Sequence, residues 1–125
     1  MINRIIQFIA SRNDKYYLKR VEKALGYELY PWIQEYLLGK EVDIPQSRNN
    51  GKTQAVIIKF ILNYDGDPVD LSVRNLKSVK DELCDYPDIL KIKNAWLIDE
   101  IYKTYQNLKK SGLKLRKIKF PKYWS

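Results

Sequence analysis

Val42-Asp43-Ile44-Pro45-Gln46-Ser47-Arg48-Asn49-Asn50-Gly51-Lys52-Thr53 runs directly into Gln54-Ala55-Val56-Ile57-Ile58-Lys59-Phe60-Ile61-Leu62-Asn63. A short apolar segment, a polar loop closing on Gly51-Lys52-Thr53 and an apolar helical run follow one another in the order in which a phosphate-binding loop is built. In such a loop the backbone N–H groups and the positive end of the following helix converge on one anion, a lysine adds a point charge, and a hydroxyl can ligate Mg²⁺. Arg48, Gly51, Lys52 and Thr53 are the candidate phosphate-binding residues. The general pattern is incomplete, because its leading glycine falls on Gln46. A plainer reading stays open: Gly51 relaxes a turn and Asn50 or Ser47 caps a helix. Either way the run from Lys52 to Asn63 is apolar almost all round, so it is covered on more than one side and belongs at the centre of the fold.

Working upstream, Val42-Asp43-Ile44 alternates as a very short strand, which requires a small sheet. Pro31 sits well at the first turn of a helix to Leu38, stopped by Gly39, with Trp32, Tyr36 and Leu37 packing inward. Asp14 caps an earlier helix whose stripe of Tyr17, Leu18, Val21 and Leu25 is buried, leaves Lys15, Lys19, Arg20 and Lys23 outside, and ends at Gly26. Ile5, Ile6, Phe8 and Ile9 recur at helical spacing within residues 2–11.

Downstream, Asp65-Gly66-Asp67-Pro68 is a turn by composition. Asp65, Asp67 and Asp70 do not match calcium-loop spacing, and no Glu closes such a site. Ser78 caps a helix through Cys84, and Tyr86-Pro87 breaks it. Ala95-Trp96-Leu97-Ile98-Asp99-Glu100 admits two readings. As an apolar strand ending in two acids it resembles the segment by which helicase-like ATPases hold Mg²⁺ and polarise the attacking water, a resemblance that implies Asp99 on the metal and Glu100 as the catalytic base. As part of a helix from Pro87 to Lys110 it puts Asn94, Ile98, Ile101, Tyr105 and Leu108 on one face. The longer periodicity favours the helix, which leaves no catalytic residue assigned. Ser111-Gly112 ends it. Leu113 to Phe120 then alternates as a strand with a slip near Arg116, suited to pair with Val42–Ile44 in a parallel or mixed sheet.

Charge is distributed unevenly. The chain has 125 residues with 23 Lys and Arg against 15 Asp and Glu, a net charge of +8. Lys109, Lys110, Lys114, Arg116, Lys117, Lys119 and Lys122 all follow Gln106, and no carboxylate follows Glu100, so the remainder is close to neutral. Such a basic ending is the footprint expected for a polyanion partner, and with Trp124 beside it a single strand can be both neutralised and stacked upon. A solvated lysine face kept for solubility is the plainer alternative. With no histidine and one cysteine, Cys84, structural zinc, histidine-based triads and an internal disulfide are excluded. No apolar run is long enough to span a membrane and the start lacks a signal-peptide layout, which predicts a cytoplasmic protein without membrane association.

The segment Ser47-Arg48-Asn49-Asn50-Gly51-Lys52-Thr53, with Leu29-Tyr30-Pro31-Trp32-Ile33-Gln34-Glu35-Tyr36 before it, resembles the variant loop and upstream aromatic-glutamine segment of phage terminase large subunits and helicase-like ATPases. That resemblance implies ATP and Mg²⁺ at the loop, with Trp32 and Gln34 on the adenine side. A residue separates Trp32 from Gln34 where the family often has them adjacent. The chain is about half the size of a complete ATPase of that kind. For the whole layout, small proteins of Gram-positive phages and mobile elements are the nearest likeness.

The expectation is one domain over residues 1–125: a helical part to 40, a phosphate-loop-like strand, loop and helix over 41–64, and helices with a basic strand over 65–125. It is mostly α with a small sheet, a phosphate-loop core cut down and preceded by added helices. The expected function is a non-catalytic phage-type accessory or anti-defence module, for example one acting on a CRISPR nuclease, that binds nucleic acid or a nucleoprotein machine in the host cytoplasm. It needs no cofactor and keeps the loop as scaffold or anion pocket. The alternative is a minimal ATPase linked to packaging or replication, using ATP and Mg²⁺.

Overall fold

A computed structural model of the chain describes residues 15–42 and 51–122. They form helices α1 (15–25), α2 (Pro31–Leu37) and α3 (Lys52–Leu62), strand β1 (Val69–Asp70), α4 (Lys77–Glu82), a 3₁₀ turn (Pro87–Lys91), α5 (Asn94–Lys109) and strand β2 (Ile118–Lys119). The fold is therefore mostly helical with a small two-stranded parallel sheet, as expected. The expected helix over residues 2–11 and the strand residues Asp43 and Ile44 lie outside the described residues.

α3 is the centre. Ala55, Val56, Ile57, Ile58, Phe60, Ile61 and Leu62 are all buried, and both α2 and α5 pack on α3. Each of the isoleucines makes the core sensitive to truncation, at about 2–5 kcal/mol per Ile→Ala change. α5 contributes Leu97, Ile98, Ile101 and Leu108, all buried at helical spacing. α1 contributes Leu18 and Val21. Arg20, expected outside, is half-buried and ties α1 to the far end of α5: its guanidinium donates to the Ser111 carbonyl, from Nε at 3.0 Å.

The structure departs from the sequence reading in the sheet and in two helices. α4 begins at Lys77, with Leu76 rather than Ser78 at its cap. Among the described residues the partner of β2 is β1, with Val69 opposite Ile118 and Asp70 opposite Lys119, a pairing the sequence did not suggest. A two-residue strand is too short to announce itself by alternation, and Val69 and Leu71 are buried at the end of a polar turn. The helix expected from Pro87 to Lys110 is also divided. Ile92 and Lys93 are extended, with ψ of 138° and 140°, so a 3₁₀ turn precedes α5. This break drives Ile89 fully into the core, and the freed Ile92 carbonyl accepts a bond from Lys80 Nζ at 2.8 Å.

Candidate nucleic-acid interface and phosphate-loop motif

Gly51 begins α3 in the left-handed region, with φ 70° and ψ 26°. Its carbonyl accepts from the Ala55 N–H at 2.8 Å, so the first helical bond closes across Lys52 and Thr53. Glycine suits the position twice: it adopts this φ without penalty, and an added Cβ would lie 3.3 Å from Ile33 Cδ1. The Lys52 ammonium lies 5.6 Å from the centroid of the Tyr86 ring. Thr53 is half-buried on the first turn. Gln54 fastens this end of α3 to α5 by donating to Thr104 Oγ1 at 2.8 Å. Arg48 lies outside the described residues. The cavity beside Gly51, walled by Leu29, Ile33 and Ile58, has a volume of about 50 Å³ among the described residues, well below the roughly 300 Å³ at which small-molecule sites begin.

The adenine-side candidates face inward. Trp32 packs on the core, tilted against Tyr36 with centroids 6.2 Å apart, and its buried Nε1 finds no acceptor among the described residues. Gln34 donates its amide to the Leu29 carbonyl at 3.1 Å, closing the turn before α2. Asp99 and Glu100 lie in the middle of α5, not at the end of a strand, so the strand placement on which the alternative reading stood is corrected. Asp99 pairs with Lys103 one turn on at 2.9 Å, and this partner, chiefly by hydrogen bonding, raises the lysine's pKa. Among the described residues no group of histidines, cysteines and carboxylates is arranged to hold a metal ion.

The basic ending is presented as expected, with one exception. Lys109, Lys110, Lys114, Lys117, Lys119 and Lys122 are exposed at the end of α5 and along the strand that follows. Trp124 lies outside the described residues. Phe120, interleaved with the lysines, packs edge-on against Tyr102 and Tyr105 at 5.2 and 5.5 Å and so anchors the strand to α5. The exception is Arg116, which is 2% exposed and turned into the protein. Its guanidinium forms a two-pronged pair with Glu82, donates from Nε to the Asp67 carbonyl at 2.8 Å, and lies 4.6 Å from the Phe60 ring centroid. A side chain so engaged does not reach a phosphate, which corrects its assignment to the interface.

Arg116 also marks what the sequence hid. With Glu82 it lines a cavity of about 270 Å³ at the C-terminal end of α3, together with Tyr17, Tyr36, Lys59 and Asp85. Tyr36 donates to Asp85 Oδ2 at 2.7 Å, and the Lys59 ammonium rests 4.2 Å from the Tyr36 centroid. Burial, then the bond to the Asp85 carboxylate, pushes the Tyr36 phenol well above its usual range. The slip in alternation at Arg116 was the only hint, since it sets this one cation on the inner face of a strand whose other cations point out.

No family model, curated protein or solved structure matches the chain.

Proposed function

We propose that this protein is a non-catalytic module that binds nucleic acid, or a nucleoprotein machine, through the lysine surface formed by the end of α5 and the strand containing β2. One observation carries the reading: Lys109, Lys110, Lys114, Lys117 and Lys119 stand exposed on a stretch with no carboxylate after Glu100, held in place by Phe120 and by the pairing with β1. Lysines on a docked strand give a fixed row of charges, whereas the same lysines on a loose tail would not hold a register on a polyanion. A phage-type accessory or anti-defence role fits this chemistry. The Gly51-Lys52-Thr53 turn serves chiefly as the scaffold that starts α3.

The test is fluorescence anisotropy of a labelled oligonucleotide across a salt series. Affinity is expected to fall steeply with salt, and Lys117→Ala/Lys119→Ala is expected to reduce the slope of log K against log salt by about 1.5. A slope near zero, or a double variant that binds like the native chain, sinks the reading.

A second reading, a minimal nucleotide binder, is favoured by the left-handed Gly51 with Lys52 and Thr53 on the first turn of α3. Asp99 and Glu100, held within α5, speak against hydrolysis. Calorimetric titration with ATP and Mg²⁺, with Lys52→Ala as control, separates the two: binding abolished by the substitution supports nucleotide, and no heat at millimolar ATP removes it.

A further inference from the structure

We propose that the nucleic acid taken by the lysine surface is single-stranded, and that it follows a track reaching from Tyr64 at one end to Arg74 and Lys77 at the other. This rests on the nucleic-acid reading above and adds residues that lie outside the basic ending.

The track is laid out by the parallel pairing. Arg116 N–H donates to the Ile61 carbonyl at 2.8 Å, which holds the chain just before β2 against the end of α3. There Tyr64 is 54% exposed, and the Lys114 ammonium lies 5.7 Å from its ring centroid. Val69 N–H then donates to Lys117 and Leu71 N–H to Lys119, at 2.9 and 2.8 Å, so β1 and β2 advance together. Beyond Leu71 the chain continues through Ser72 and Val73 to Arg74, no more than about 11 Å further at ~3.6 Å per residue. Arg74, Lys77 and Lys80 line a hollow of about 430 Å³ together with Leu76, the half-exposed Leu90, Asp81 and two asparagines. Lys80 is partly committed to the Ile92 carbonyl, which leaves Arg74 and Lys77, both exposed, as the leading contacts.

The chemistry selects a single strand. A half-exposed tyrosine ring with an ammonium beside it offers a stacking surface, and a base can use it only if it is not already stacked within a duplex. The two leucines in the lining of the hollow suit a base or sugar, and Arg74 and Lys77 beside them suit the phosphates. Carboxylates are present: Asp65, Asp67, Asp70 and Asp81 lie along this course, against Lys114, Lys117, Lys119, Arg74, Lys77 and Lys80. Asp70 is opposite Lys119 and is tied down by bonds from the Ser72 hydroxyl and the Ser72 N–H, the latter at 2.9 Å. Six cations against four carboxylates leave a positive excess, which is concentrated at the Arg74–Lys77 end, while the Tyr64 end is balanced. The course is at most roughly 30 Å, which accommodates about eight stacked nucleotides at ~3.4 Å each.

The experiment uses the full chain and a fluorescein-labelled oligothymidylate of about twelve nucleotides, compared with a duplex of the same length. The single strand is expected to bind more tightly, with affinity levelling off near about eight nucleotides as length is varied. Tyr64→Ala is expected to weaken single-strand binding roughly tenfold while leaving the salt slope unchanged, and Tyr64→Phe to restore it. Arg74→Ala/Lys77→Ala is expected to reduce the salt slope by about 1.4. All these side chains are exposed, and circular dichroism of each variant checks the fold. Equal affinity for strand and duplex overturns the proposal, as does native-like behaviour of either the Tyr64→Ala or the Arg74→Ala/Lys77→Ala protein. If binding is then still lost in Lys117→Ala/Lys119→Ala, the nucleic-acid reading stands without the track. If that variant too is indifferent, both fall.

Discussion

The two ends of α3 carry cations that the sequence and the structure weigh in opposite ways. At the N-terminal end, Lys52 belongs to a recognisable motif, yet it is half-buried and lies over the Tyr86 ring, and among the described residues the cavity next to Gly51 is small. At the C-terminal end, Arg116 looks like one more residue of a basic ending, yet it is buried, paired with Glu82 and set against Phe60. Motif spacing reports what local chemistry a segment is able to perform. Burial reports what the rest of the chain has required of it, and only the second governs how much energy depends on the residue.

Removing one member of the Arg116–Glu82 pair should separate the two ends most strongly. Glu82→Ala removes the carboxylate from a buried guanidinium, and because Glu82 is itself half-exposed, urea unfolding should show a loss of about 2 kcal/mol, below the range for fully buried pairs. Lys52→Ala should lose less than about 1 kcal/mol, as for other partly exposed side chains. Equal losses at both ends would erase the distinction. Gly66→Ala probes the tail differently, since its Cβ would lie 2.8 Å from Arg116 Cζ. With the guanidinium pinned on three sides, about 1–3 kcal/mol of overpacking is expected in the same measurement. Gly51→Ala at the head should cost about 1 kcal/mol, from the left-handed backbone more than from the contact with Ile33.

The smallest effect is expected in the dependence on pH. Tyr36 has a pKa raised above its ordinary value by burial and by the Asp85 carboxylate. Above about pH 10 the unfolded chain loses this proton while the folded chain keeps it, so stability falls as pH rises past that point and is unaffected below it. Thermal unfolding between pH 9 and pH 11 should therefore decline less steeply in Tyr36→Phe than in the native protein. A parallel decline in both would show that the Tyr36–Asp85 contact at the cavity does not hold the proton.

Much of the fold was legible because it follows from periodicity. The all-round apolar run of α3, the Tyr17–Leu25 stripe of α1, Pro31 at the head of α2 and the Ile98–Leu108 face of α5 each pack on the core as their spacing implied, with Tyr17, Leu25 and Tyr105 partly buried and Asn94 exposed. The helical reading of Asp99 and Glu100 also followed, since a long repeat outweighs a short apolar run. Legibility failed where a residue's surroundings come from distant segments. The 3₁₀ turn before α5 depends on a pocket for Ile89 and on Lys80, twelve residues from the carbonyl it satisfies. Likewise β1 exists because β2 returns beside it, and Tyr64 acquires its neighbour Lys114 only through that return.

By itself, the sequence determined the helical class, the central place of Lys52–Leu62 and the concentration of positive charge after Gln106, because propensity, apolar spacing and composition are properties of contiguous residues. Only the tertiary structure decided which of those positive groups face water. Arg116 is drawn inward since Glu82, Asp67 and Phe60, brought together from three separate segments, engage its charge and its donors at once, whereas Lys114, Lys117 and Lys119 stay exposed.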